Sequence, residues 1–216
     1  HTLFGELLYA ESKMISRIAA PPVDIPIATT SPFYSVARDL GYTGNVTVRW
    51  RLWDAENRTT EDIGKATHAT LGAKGVVAGW DYSAALTHSQ NKWTENYLAG
   101  WLKSNELLAA LNSGTLNPFV GPGQQSAAGL ATINSAVYRG MYKSADTGLT
   151  MLDLKASREL FAAPGGTSMV AVGADFRRES NSYNPSAIAR AQGNVIAGDR
   201  AAEEPFDLSR RSYGAF

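Results

Sequence analysis

The sequence predicts an all-β protein laid out as an antiparallel up-and-down meander. Three observations predict it: runs of alternating apolar and polar residues, tight-turn chemistry between some of them, and long polar stretches between the others. The clearest pair is Thr150 to Ser157 and Val170 to Arg177, around a turn at Pro164-Gly165-Gly166. Successive side chains on a strand lie on opposite faces. Leu152, Leu154 and Ala156 therefore oppose Asp153, Lys155 and Ser157, and Val170, Val172, Ala174 and Phe176 oppose Ala171, Gly173, Asp175 and Arg177.

Taken in order, the first run is Leu3 to Ser12, with Leu3, Leu7 and Tyr9 against Glu6, Ala10 and Ser12. From Lys13 to Gly44 the pattern dissolves into Pro21-Pro22, Pro26, Pro32 and Gly41-Tyr-Thr-Gly44, the chemistry of a long loop. Val46 to Leu52 alternates again and is expected to be an extra hairpin arm, pairing with the Arg58 to Asp62 region. Lys65 to Lys74 and Trp80 to His88 flank a turn at Gly75 to Gly79, making a second tight hairpin. Residues 92 to 142 form the longest interruption, with one short helix expected near 104–112. Ser104, Glu106 and the Leu107 to Leu111 run start it, and Asn112-Ser-Gly114 ends it. After a third polar stretch, 180 to 207, Ser212 to Phe216 opens a last run. The first strand should pair with Lys65 to Lys74, and the order should then run consecutively.

Composition removes several functions. At 216 residues the chain is one large all-β domain or two small ones. Its 20 Lys and Arg balance 20 Asp and Glu, so no overall field draws nucleic acid. The absence of cysteine excludes disulfides, thiolate metal sites and a cysteine nucleophile. No run approaches the roughly 18 apolar residues of a membrane-spanning helix. The chain opens on His1 without an initiating Met or signal peptide and stops inside an alternating run, so both ends are expected to be cuts.

No constellation for catalysis, cofactor or metal binding assembles, and no enzymatic activity is expected. His1, His68 and His88 share no ligand spacing, and His68 and His88 are expected on the polar sides of neighbouring strands. Gly121-Pro-Gly123 lacks the Lys-Ser/Thr of a phosphate loop. Asp153, Asp175 and Glu179 beside Lys155, Arg177 and Arg178 read as a hydrated charge ladder. The one basic cluster in a loop region is Arg49, Arg51 and Arg58, with Glu56, Glu61 and Asp62 nearby. These arginines are the candidate ligand contacts, for an anion arriving from outside; cross-strand salt bridges in an exposed hairpin are the plainer reading.

The connections alternate long and short: 13 to 64, 75 to 79, 92 to 142, 158 to 167, 180 to 207. That is the order of an outer-membrane barrel, with loops outside and turns in the periplasm. Trp80, Tyr82 and Phe161 sit beside the short turns, where an interfacial aromatic girdle belongs. An apolar face against a charged one then becomes lipid against a polar lumen. The fold class expected is thus an open segment of a transmembrane β-barrel with long extracellular loops.

Leu71-Gly-Ala-Lys-Gly75 with Ala78-Gly-Trp-Asp-Tyr82, Leu107 to Gly114 with Asn117-Pro-Phe119, Leu152 to Leu160, and Val172 to Glu179 resemble the barrel region of TonB-dependent outer-membrane receptors of Gram-negative bacteria. The resemblance runs from Leu3 to Phe216. It implies a barrel of about 22 strands with a plug domain and a TonB box, importing a scarce ligand such as a siderophore, cobalamin or saccharide. It also implies outer-membrane lipid, an extracellular small ligand, the plug, the remaining strands, and TonB acting through the plug as partners. Neither plug nor TonB box lies in residues 1–216, and about six membrane strands cannot close a barrel. No functional residue carries over by position. The alternative is a soluble or surface-attached β domain that binds carbohydrate or protein.

Overall fold

The computed structural model describes residues 1–193, 195–198 and 202–216. In chain order the strands are β1 (Thr2–Ile18), β2 (Pro22–Ile27), β3 (Val46–Arg51), β4 (Arg58–Val77), β5 (Trp80–Ala99), β6 (Gly140–Ala163), β7 (Gly166–Pro185) and β8 (Phe206–Ala215). Six of them form one antiparallel sheet in the order β1-β4-β5-β6-β7-β8, and β2 and β3 form a separate hairpin. The chain is 60% strand and 14% helix, which makes it an all-β meander. The first strand pairs with β4 as expected, Leu3 opposite Ala73 and Leu7 opposite Ala69.

Tight turns close one end of the sheet. Between β4 and β5 only Ala78 and Gly79 turn the chain, and both have positive φ, 50° and 75°. That sign pattern suits the right-handed twist of the flanking strands. The long connections, 19–57, 100–139 and 186–205, all leave from the opposite end, as antiparallel pairing requires.

Registers carry the alternation across the sheet. One face holds the row Leu3, Ala73, Ala84, Leu154, Ala174 and Ala215, and above it Gly5, Leu71, Leu86, Leu152, Phe176 and Tyr213. A bulge between Glu159 and Phe161 turns Phe161 onto this same face, opposite Ser168. The other face carries Asp153 directly opposite Asp175, each held by a cation, Lys155 at 3.1 Å and Arg177 at 2.9 Å.

Several sequence expectations need correction. The strands outrun their hydrophobic patterns: β1 continues past Ser12 to Ile18, β4 starts at Arg58, and β8 starts at Phe206 instead of Ser212. Cross-strand ion pairs hold these extensions, Glu11 with Lys65, Lys13 with Glu61 and Arg210 with Glu179, and charged pairs leave no apolar alternation to read. Val46 to Arg51 does not pair with Arg58 to Asp62. It pairs with β2, because Arg58 to Asp62 is already occupied by Met14 to Ile18. The prolines at 22 and 26 had disguised β2, yet its period of two is intact: Val23, Ile25 and Ile27 are buried. His88 is also misassigned. It shares the face of Leu86 and Leu152, opposite Thr150, whereas His68 lies on the charged face against Ser89.

Among the described residues, neither face of the large sheet is covered by a second layer. Leu3, Leu7, Leu71 and Tyr213 on the apolar face are between 68% and 81% exposed. The whole chain exposes 13039 Å², against about 9,700 Å² for a compact monomer of 23.1 kDa. Strands of 20 to 24 residues extend about 65 to 80 Å, where about six residues is usual in globular sheets. The buried core lies elsewhere, in the long connections.

Candidate functional site

The three long connections fold into one cap at their end of the sheet. Its core joins Val23, Ile25, Ile27 and Leu52 from the first connection to Leu107, Leu111, Leu116 and Ile133 from the second and Ala197 from the third. Among the described residues the connections hold four helices, α1 (Tyr34–Asp39), α2 (Ser104–Ser113), α3 (Ala127–Ala136) and α4 (Ala187–Arg190), of which α2 and α3 supply this core. The sequence anticipates only α2. Leu107, Ala110 and Leu111 give it one buried face, and Gly114 ends it at φ 80°. Its N-cap is Lys103, whose ammonium reaches Glu106 at 2.6 Å, so Ser104 is the first helical residue and not the cap. In α3 the cap is Ser126, which accepts a hydrogen bond from the Gly129 amide; Ala, Gly and Thr had hidden this helix among turn signals.

Backbone bonds stitch the connections together. Ala197 N–H donates to Leu102, Ser104 N–H to Val195, and Lys103 N–H to Ala136. Ser31 in the first connection donates to the Leu111 carbonyl in the second. The turn that superficially suggests a phosphate loop is spent the same way: Gly123 N–H donates to Asp54 at 2.7 Å and Gly121 N–H to the Gln124 side chain. No amide of that turn is left facing an anion by these two bonds.

Below the cap, an aromatic stack joins it to the sheet. Trp101 and Tyr142 lie on either side of Tyr97, with centroids 4.1 and 4.2 Å away and planes 11° from parallel in both cases. Arg58 sits 5.2 Å over Trp101 and Lys143 5.8 Å over Tyr142, so cations close both ends of the stack. Lys143 also reaches Glu203 at 3.2 Å and Glu95 at 4.0 Å, which ties the third connection to β5 and β6. Arg58 apart, these residues escaped the sequence reading, although the density of Tyr and Trp at strand ends was a usable signal.

Two of the three candidate arginines, Arg51 and Arg58, meet at one corner, and Arg49 stands apart. Arg49 is exposed and paired with Asp24 at 3.1 Å. Arg51 donates to the Ala20 carbonyl at 2.7 Å and Arg58 to the Ala19 carbonyl at 3.2 Å, so both brace the corner between β1 and β2. Arg49 borders a groove of about 580 Å³ between α1, β3 and the Pro118-Phe119 segment. Tyr42, Trp50 and Phe119 supply its aromatic walls and Leu40 and Val48 its aliphatic ones. That size and lining suit a small organic ligand.

Elsewhere the chemistry is structural. The Glu61 carboxyl, at the cap end of β4, is held below the usual carboxylate range, first by its hydrogen bond from Lys13, against a smaller desolvation penalty. His68, Thr70, Thr87 and Ser89 hydrogen-bond one another across β4 and β5. Among the described residues no group of His, Cys, Asp and Glu could hold a metal ion, and no helix is long and apolar enough to cross a membrane. No protein-family model, curated protein or solved structure matches the chain.

Proposed function

We propose that the chain is wall and external cap of an outer-membrane transporter of the TonB-dependent kind, the family its sequence resembles. The carrying observation is the apolar face: a six-stranded sheet with no second layer on it among the described residues, and with Leu3, Leu7 and Leu71 more than two-thirds exposed. Water is a poor neighbour for such a surface, and lipid is a good one.

The stagger of the hairpin ends supports the same reading. Asp81 and Ser157 are partners, yet Asp81 is one residue from the start of β5 at Trp80 while Ser157 is six from the end of β6 at Ala163. Leu160 is bulge residue, so the second turn lies about four residues further along, or about 13 Å over two strand spacings of about 10 Å in all. An angle near 50° results, close to the 35–45° tilt of barrel strands whose turns share one level. On that slope the apolar face gains Trp80, Tyr82 and Phe161 at one rim and Tyr9, Phe176 and Tyr213 towards the other, the two girdles a membrane wall carries. In this reading the cap faces outward and the groove beside Arg49 meets the incoming ligand.

The chain has no cysteine, which makes the test direct. Cysteines introduced one at a time from 170 to 177 in the complete protein, each carrying an environment-sensitive fluorophore, should alternate between hydrocarbon at even positions and water at odd ones. A flat profile in bilayers refutes the wall. Uptake by whole cells that survives a protonophore refutes energised transport.

A further inference from the structure

Resting on the proposal that the apolar face meets lipid, we infer that Arg178 and Arg211 form a binding site for a phosphate-bearing lipid headgroup at the outer edge of the apolar band. The two are direct cross-strand partners on that face. Like charges in this position repel. The sequence places Arg178 in the charge ladder with Glu179, but Glu179 is held by Arg210 on the opposite face. Lys155, Arg177 and Arg210 on the charged face are each paired, and so are Lys65 and Lys92 on the apolar-face side. Neither Arg178 nor Arg211 forms an ion pair among the described residues. The nearest acid along β8 on their side, Asp207, is four residues from Arg211, about 13 Å away.

Position selects the anion's source. The row immediately towards the tight turns is Phe176 and Tyr213, packed edge to face at 5.7 Å, with Leu152 beside them. The row containing the arginines runs on through Thr150 to His88, which share a hydrogen bond of 3.0 Å. His88 lies eight residues along β5 from Trp80, about 26 Å of strand and about 20 Å of height at a 40° tilt, against an apolar band about 25 Å tall. The tilt carries Arg178 and Arg211 slightly higher. A cavity of about 250 Å³ there is bounded by Arg178, Arg211 and Thr150 above and by Phe176, Tyr213 and Leu152 below, with Arg177, already paired with Asp175, at its edge. Cations over an apolar floor fit an amphiphile: two guanidinium forks take phosphate oxygens bidentately, and the acyl chain runs down the aromatic pair. A free soluble anion gains nothing from that floor.

The complete protein in a neutral detergent, titrated with phosphatidic acid or with diacylglycerol of the same chains and read by native mass spectrometry, decides the matter. Retention of phosphatidic acid but not diacylglycerol is expected, falling about tenfold in Arg178→Gln/Arg211→Gln. It should be unchanged in Lys155→Gln/Arg210→Gln, which removes equal charge from the other face. Retention that is unaltered in the first variant overturns the site. So does displacement by millimolar inorganic phosphate, which marks a soluble-anion site. Flotation with neutral vesicles separates the premises: wild-type protein that does not float refutes the lipid-facing wall itself, whereas protein that floats but ignores phosphatidic acid refutes only the headgroup site.

Discussion

Val172 and Ala171 are adjacent in β7 and point to opposite faces, so a single pair of arginine substitutions separates lipid from water. Val172 is 47% exposed on the apolar face and pairs with Ala156; Ala171 pairs with Ser157 on the charged face. On the tilted sheet Val172 lies near the middle of the apolar band, where an arginine facing lipid costs about 2 to 4 kcal/mol. That is about a 30- to 900-fold loss in the folding equilibrium. Ala171→Arg should stay within about 0.5 kcal/mol, since it adds a solvated cation to an already charged face. The assay is reversible denaturant titration of the complete protein in phospholipid vesicles, followed by tryptophan fluorescence. Equal midpoints for Val172→Arg and wild type would mean that the apolar face meets water, and the membrane reading would fall.

Three further outcomes follow from the cap and the turn. Leu107→Ala removes a fully buried side chain from the core shared by the three connections and should cost about 2 to 5 kcal/mol of cap stability; proteolytic nicking within 100–139 without loss of the sheet is the readout. Lys143→Met leaves Glu95 and Glu203 without their shared cation, so amides of 186–193 should exchange faster while those of β6 and β7 keep their protection. Ala78→Asn should stabilise the tight turn by up to about 1 kcal/mol, because asparagine tolerates the positive φ that alanine resists; an unchanged unfolding midpoint would show that the turn carries no such strain.

Acid should loosen the seam between β1 and β4. The folded-state value of Glu61 is lowered, chiefly by Lys13. Its contribution is therefore present above the unfolded glutamate value near 4.3 and is lost as pH falls through the lower folded value. Lys13→Met should remove that loss, and pH-dependent melting curves for wild type and variant should converge at the acid end.

The sequence by itself determined the meander, its two tight turns, the end from which the long connections leave, and the helix at α2. Each of these is written in nearest-neighbour terms: a period of two along a strand, glycine where φ turns positive, and a leucine stripe closed by Gly114. Tertiary structure alone decided the partner of β3, the length of the strands past their apolar runs, the face of His88 and the separation of Arg49 from Arg51 and Arg58. Those depend on which strands share a backbone edge. Met14 to Ile18 pairs with Arg58 to Asp62 and leaves Val46 to Arg51 to β2, and the register of β7 with β8 sets Arg178 directly opposite Arg211, on the other face from Glu179. Sequence distance carries no trace of that juxtaposition, because it is produced by a hydrogen-bond register between strands joined through a twenty-residue connection.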